Sequence, residues 1–237
     1  MSPARDELVA RVTRNLAVVR ERIAATGRDP AGVRIVAVTK TFGPEAAVAA
    51  LAAGLCDVGE NYADELVASY NALHVDTLQD DAVHDGALVW HFLGRLQRNK
   101  LARLAPRVAV YQTVSSAGEA DAIASRAPGA RCYVQVDVAG VPGRNGCRPD
   151  EVHAVASAAL DAGLELEGLM CVASNDPSLA DAQFAALRRA ADDEGLTGCS
   201  MGMSGDFEAA CARGATMIRL GTALFGPRPS RASPVVA

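Results

Sequence analysis

The chain has 237 residues, with 23 Lys and Arg against 28 Asp and Glu for a formal net charge of −5, and half of its residues are hydrophobic. The mild charge gives no support for a nucleic-acid or anionic-membrane partner, which needs clustered basic residues. The charged N-terminus lacks an apolar core of signal-peptide length, and no stretch approaches the roughly 18 uncharged apolar residues of a membrane span, so a cytoplasmic globular protein is expected.

Hydrophobic period and punctuation predict a regular alternation along the chain. An opening helix over about residues 5–25 sets Leu8, Val12, Leu16, Val19 and Ile23 on one stripe. Strand one spans 33–39, and Pro44 then opens an alanine-rich helix that ends near Gly54. Strand two is the short "CDVGEN" (56–61), with a helix from about Tyr62. A polar segment, 74–87, carries Asp76, Asp80, Asp81 and Asp85 and reads as a solvated loop ahead of strand three, "ALVWHFLG" (87–94). A helix from about Leu96 leads to strand four, "VAVYQTV" (108–114), and another follows near 117–127. Strand five is "RCYVQVDV" (131–138), and a glycine-containing loop precedes the helix that Pro149 opens. Strand six is "LELEGLMCV" (164–172), with a helix near 178–194. Strand seven is "CSMGMS" (199–204), with a short helix from about Asp206, and strand eight is "TMIRLGTALFG" (216–226).

Eight strand–helix alternations without hairpin signals favour parallel strands, each needing a crossover helix. α/β barrels of about 250 residues fold as one unit. The expected architecture is therefore a single (β/α)8 TIM-type barrel with an extra N-terminal helix. It occupies residues 1–228 as one domain, followed by a disordered tail, 229–237; a doubly wound open sheet is the alternative.

Barrels of this kind place their chemistry at the carboxyl ends of the strands, often with a phosphate site after strands seven and eight. On the predicted elements, Lys40 ends strand one, Asn61 ends strand two and His91 lies near the end of strand three. Ser204 ends strand seven, and Arg219, Gly221 and Thr222 lie late in strand eight. "SMGMSGDFEAA" places a serine and backbone N–H groups ahead of a helical run, which suits a phosphate dianion. Gly221 lets the backbone approach the anion, and Thr222 adds a hydroxyl. An N-cap and turn is the plainer reading of Ser204 and Gly205 taken alone. A lysine across the mouth from a phosphate site suggests a Schiff base with a phosphorylated aldehyde, because desolvation favours the neutral, nucleophilic amine. Taken alone, Lys40 reads as a strand-end lysine reaching solvent. Six cysteines, at 56, 132, 147, 171, 199 and 211, show no CxxC spacing and read as isolated thiols. No metal site is expected; His74 and His84 sit in the acidic loop, and His91 reads as a pocket residue or a hydrogen-bonded core histidine.

"VAVTKTF", "VGENYADEL", "WHFLGRLQRNK", "QVDVAG", "GLM" and "SMGMSGDFEAACARGATMIRLGTALFG" occur in this order between about residues 33 and 226. Together they resemble the pyridoxal phosphate homeostasis family, single-domain relatives of the alanine racemase barrel. The resemblance implies that Lys40 holds pyridoxal 5'-phosphate (PLP) as a Schiff base, that Asn61 lies beside the ring and that Met203 lines the pocket. It implies that Ser204, Gly221 and Thr222 hold the phosphate and that Arg219 faces the pyridine nitrogen, with Ser200 a weaker candidate. Asp64, Arg95, Val141, Arg144 and the "YQTVSS" segment depart from the usual pattern, which bears on the pocket rim and partner surface.

An arginine on the pyridine nitrogen weakens the electron sink that carbanion chemistry needs, though alanine racemases share it. No convincing second base is found opposite Lys40, and the chain leaves no room for the second racemase domain. The expected role is therefore PLP buffering and delivery by a monomer, with PLP-dependent apoenzymes as transient partners. A low-activity amino-acid racemase or other Schiff-base enzyme is the alternative.

Overall fold

A computed structural model describes residues 3–74, 87–141 and 143–227. The acidic run, His84 and the expected disordered tail therefore lie outside the described residues. The helix α1 (Pro3–Ala25) buries Val12, Leu16, Val19 and Ile23 at spacings of three and four, one helical stripe. A 3-10 turn at Pro30–Gly32, capped by the Asp29 side chain, leads into β1 (Arg34–Val38), and Pro44 opens α2 (Pro44–Ala52). Next come β2 (Asp57–Glu60), α3 (Ala63–His74), β3 (Val89–Phe92), α4 (Leu101–Leu104) and β4 (Val110–Val114). They are followed by α5 (Ala117–Ala124), β5 (Arg131–Gln135), α6 (Val152–Asp161), β6 (Glu165–Met170) and α7 (Pro177–Asp193). The chain then runs through β7 (Gly198–Ser200), α8 (Phe207–Ala212), β8 (Met217–Leu220) and α9 (Thr222–Phe225).

The eight strands form a closed parallel barrel in chain order, and β8 returns to pair with β1 from Arg34↔Met217 to Ala37↔Leu220. Closure removes the sheet edges and excludes the open-sheet alternative. Among the described residues, β8 is followed by the one-turn α9 and by no longer helix. α1 fills that place: it packs against α2, α8 and α9, and the Asn15 amide donates to the Leu224 carbonyl at 2.7 Å. The extra N-terminal helix is thus part of the ring.

Several strands end earlier than the sequence suggests, β7 and β8 most consequentially for the site. β7 stops at Ser200, so Ser204 sits in the following turn and does not end the strand. The chain bends at Gly202, whose φ is +95° and whose missing Cβ would lie 2.6 Å from the Ala210 Cβ. β8 likewise stops at Leu220, and Gly221 at φ −109°, ψ −82° leaves the strand region, so Thr222 is the first residue of α9. Lys40 and Asn61 lie just beyond β1 and β2, not within them. The helix expected from Leu96 is reduced to a 3-10 turn, Arg98–Lys100, and the single turn of α4.

Candidate functional site

Alternation along β1 puts Val36, Val38 and Lys40 on the barrel's inner side and Thr39 on the outer. Val36 joins Val110, Tyr133, Met170 and Met217 in the packed interior, while Val38 and Lys40 face the C-terminal cavity. Thr39, buried on the other face, donates its hydroxyl to Glu60 Oε1 at 2.7 Å. The turn after the lysine is tight. The Phe42 amide donates to the Thr39 carbonyl at 2.9 Å, and Thr41 sits between them at φ +70°. A non-glycine residue in the left-handed region costs about 1–2 kcal/mol. That strain lies immediately beside the candidate anchor, and it turns Phe42 back into the cavity, where it packs on Phe225 at 5.1 Å between ring centroids.

Asn61 reaches the same cavity from β2. Its backbone is held by the close approach of Gly94, where an added Cβ would fall 1.8 Å from the Asn61 carbonyl oxygen. This explains why a glycine follows "WHFL". On the opposite wall, Met203 donates its amide to Asp206 Oδ1 at 2.6 Å, and Asp206 and Phe207 donate theirs back to the Met203 carbonyl. This knot fixes Met203, Ser204 and Gly205. The Ser204 hydroxyl oxygen accepts from the Ala223 amide at 3.1 Å, tying the β7 turn to the first turn of α9.

Arg219 is almost fully buried. Its Nη1 donates to the Ser200 carbonyl at 2.7 Å and the Ser200 hydroxyl at 2.8 Å, and Nη2 donates to the Cys171 carbonyl at 2.7 Å. Burial pulls the guanidinium below its ordinary pKa, an effect opposed by the electrostatic influence of Cys171 and Asp206. It remains the positive charge deepest in this wall.

These elements converge on one cavity of about 270 Å³. All seven residues singled out from the sequence line it: Lys40, Asn61, Met203, Ser204, Arg219, Gly221 and Thr222. Gly205, read from the sequence as part of the turn with Ser204, also lines it, and Val38, Phe42, Leu93, Met170 and Val172, not singled out, complete the lining. Phe42 and Leu93 lie inside the quoted "VAVTKTF" and "WHFLG" segments, so their proximity was available. Val172 and Met170 come from β6 and the residues beyond it, whose sequence offers only apolar character. The set combines one primary amine, two hydroxyls, a guanidinium and an amide with an apolar floor, a composition suited to a small anionic ring compound.

Other candidates fall elsewhere. His91 does not line the cavity; it is a core histidine bonded to Asp57 and Gln112. Tyr62, 54% exposed, lines a neighbouring cleft with Arg95 and Lys100. Asp64 pairs on the surface with Lys100 at 3.1 Å and Arg103 at 2.5 Å. Arg144 donates to the carbonyls of Val172 and Ala173, which ties the loop after β5 to the cavity wall. The cysteines are free thiols, all buried except Cys56. Among the described residues, no cluster of His, Cys, Asp and Glu is placed to hold a metal ion, and no helix is long and apolar enough to cross a membrane.

Comparison with known proteins decides the family. Residues 9–229 match the family model described as alanine racemase, N-terminal domain. A pyridoxal phosphate homeostasis protein of Pseudomonas aeruginosa is 38% identical over 219 residues, covering 89% of this chain and 91% of that protein. One from Deinococcus radiodurans is 37% identical over 215 residues, covering 89% and 97%. The chain belongs to this family, among its pyridoxal phosphate homeostasis members. The structure of PipY from Synechococcus elongatus PCC7942 with PLP bound superposes with a TM-score of 0.75 at 28% identity, covering 91% of this chain and 100% of that one. Alanine racemase from Corynebacterium glutamicum shares the fold at a TM-score of 0.66 and 19% identity, with 95% of this chain matching 63% of the racemase.

Proposed function

We propose that the chain binds PLP as a Schiff base on Lys40 and acts in intracellular PLP homeostasis, storing and delivering the cofactor rather than turning over a substrate. The observation that carries this reading is the single cavity that unites the Lys40 amine with Ser204, Gly221, Thr222 and Arg219. Its volume lies at the lower end of small-ligand sites, which run from roughly 300 Å³ upward, as expected for one substituted ring. The relatives named for PLP homeostasis and the PLP-bound PipY structure point the same way.

PLP supplies an aldehyde carbon and a phosphate dianion. Lys40 would hold that aldehyde carbon through its amine, with the aldehyde oxygen departing as water. The Ser204 and Thr222 hydroxyls would donate to the phosphate, and Gly221 would offer backbone without a side chain in the way. Asn61 and Met203 would flank the ring, and Arg219 would offer its nitrogen a donor. A guanidinium there would disfavour protonation of that nitrogen and so weaken the electron sink that carbanion chemistry uses. Among the described residues that line the cavity, Lys40 is the one primary amine. Racemisation needs an acid–base group on each face of the substrate. The chain acts as a monomer and meets PLP-dependent apoenzymes only transiently.

Borohydride treatment of the PLP-loaded protein followed by peptide mass mapping tests the anchor. The expected result is a reduced adduct on Lys40 that disappears in Lys40→Ala. An adduct persisting on another lysine overturns the site. Incubation with single-enantiomer amino acids in D2O tests the role: α-hydrogen exchange at enzyme-like rates would replace the carrier reading with the racemase one.

A further inference from the structure

The interior of the barrel is not uniformly apolar. A line of polar side chains crosses it from the cavity toward the N-terminal end, through Ser200 on β7, Gln112 on β4, His91 on β3 and Asp57 at the start of β2. Arg219 Nη1 lies 2.8 Å from Ser200 Oγ. Ser200 Oγ lies 2.6 Å from Gln112 Oε1, Gln112 Nε2 lies 2.7 Å from His91 Nδ1, and His91 Nε2 lies 2.8 Å from Asp57 Oδ1. Arg34 Nη2 meets the same Asp57 oxygen at 2.5 Å. Ser200, Gln112 and His91 are fully buried.

The direction of every bond follows from the two ends. Burial alone would push the Asp57 carboxyl up, but hydrogen bonds from His91 and Arg34 outweigh it and hold the group below its ordinary value, so Asp57 is an anion. His91 must therefore present Nε2–H to it. Burial outweighs the pull of Asp57 and lowers the His91 pKa, keeping the ring neutral and leaving Nδ1 as an acceptor. Gln112 must then give its N–H to Nδ1 and turn its Oε1 to Ser200. The Ser200 hydroxyl donates to that oxygen and accepts from Arg219. All bonds run one way, from the Arg219 cation to the Asp57 anion, so each polarises the next. TIM-barrel interiors are usually filled by branched apolar residues, and such a network is costly unless every member is satisfied. Here it ends on the one arginine that lines the cavity.

We propose that Gln112 and His91 are positioning residues of the cofactor site. With Ser200 and Asp57 they form a one-directional chain that holds the Arg219 guanidinium in a single pose as a donor to the ligand. This rests on the PLP reading given above. Gln112 acts on Arg219 only through Ser200, so their effects on PLP affinity share one path.

Two measurements test it. On the unaltered protein without PLP, ¹H–¹⁵N correlation of the histidine rings, with His91 assigned by a His91→Gln variant, is expected to show a neutral ring protonated on Nε2. A charged ring, or a proton on Nδ1, overturns the chain. In the second, PLP affinity and the visible absorbance band are compared for Ser200→Ala, Gln112→Leu and the double variant. Each single change is expected to weaken PLP binding roughly tenfold and to shift the band. The double variant should also lose about tenfold, not a hundredfold, because neighbours in one network are not additive. Losses that multiply, or singles with unchanged affinity and band, overturn the proposal. A parent protein with no borohydride-reducible Lys40 adduct would refute the PLP reading instead, and the histidine measurement would still decide the chain.

Discussion

The two ends of β2 hold carboxyl groups three residues apart, and their environments differ in kind. Asp57 faces the barrel interior near its N-terminal end, where it accepts from Arg34 and His91, with Arg131 and Glu167 close by. Glu60 faces outward at the C-terminal end. One of its oxygens accepts from Thr39, and the other is buried with no hydrogen-bond partner among the described residues. Burial raises its pKa to about 7, helped by Glu65 and opposed by the Thr39 hydrogen bond and Lys40. The floor of the barrel matches charge with charge. The wall behind Lys40 keeps a carboxyl that is costly to ionise, hydrogen-bonded to Thr39. Stability is concentrated at one end and reactivity at the other, as the fold's general plan leads one to expect.

Asp57→Ala is the largest expected break in this comparison. It leaves Arg34 without its closest carboxylate and the buried His91 Nε2–H without an acceptor. Orphaned buried or half-buried charge costs about 2–4 kcal/mol here, once the partial exposure of Arg34 is discounted. That corresponds to a fall of roughly 5–15 °C in Tm for a chain of this size. Lys40 should still form its adduct at saturating PLP. A variant as stable as the parent would show that the floor pairing contributes nothing net.

Glu60→Gln is expected to act next most strongly, and only in one pH window. The folded pKa of about 7 exceeds the ordinary value of 4.5, so the folded chain holds a proton that the unfolded chain has lost between these values. Stability from this group is full below pH 4.5, declines as pH rises toward 7 and is flat above. At about 1.36 kcal/mol per unit the whole effect is at most about 3 kcal/mol. The glutamine side chain cannot ionise, so the variant should gain on the parent from about pH 5 to 7 in chemical-denaturation series and match it near pH 4. Parallel curves across that range would mean that Glu60 titrates normally.

Much of this was legible in the sequence, and the illegible parts share a cause. Period and punctuation identified eight strands in order, because parallel buried strands and their crossover helices alternate in composition. Lys40, Asn61, Ser204, Arg219 and Thr222 stand out in the sequence as polar side chains near the ends of apolar strands, Gly221 is read with them as room for an anion, and Met203 rests on the resemblance alone; all seven line one cavity. The ends of β7 and β8 were misplaced because "SMGMS" and "LGTALFG" stay apolar or β-prone past the last ladder pair. Only backbone geometry at Gly202 and Gly221 stops the strands there. The Gln112–His91–Asp57 line was invisible because its members lie 21 and 34 residues apart and become neighbours only on barrel closure. Lone polar residues in apolar strands are its only trace.

The smallest expected effect separates the buried mouth from its exposed rim. Asp64 stands where the resembling family commonly has glutamine, and its contacts with Lys100 and Arg103 lie at the surface. Hydrogen bonds from Lys100 and Arg103 lower its pKa, yet it is solvent-exposed, and such pairs are screened by salt and contribute little. Among the described residues, the neighbouring cleft that holds Asp64, Tyr62 and Arg95 shares only Asn61 with the cavity that Lys40 lines. Asp64→Gln should therefore leave Tm and PLP affinity unchanged within measurement, at both low and moderate salt. A salt-dependent gain in PLP affinity would mean that Lys100 and Arg103, once released, attract the phosphate from the rim. The boundary of the site would then move outward from Asn61 to include them.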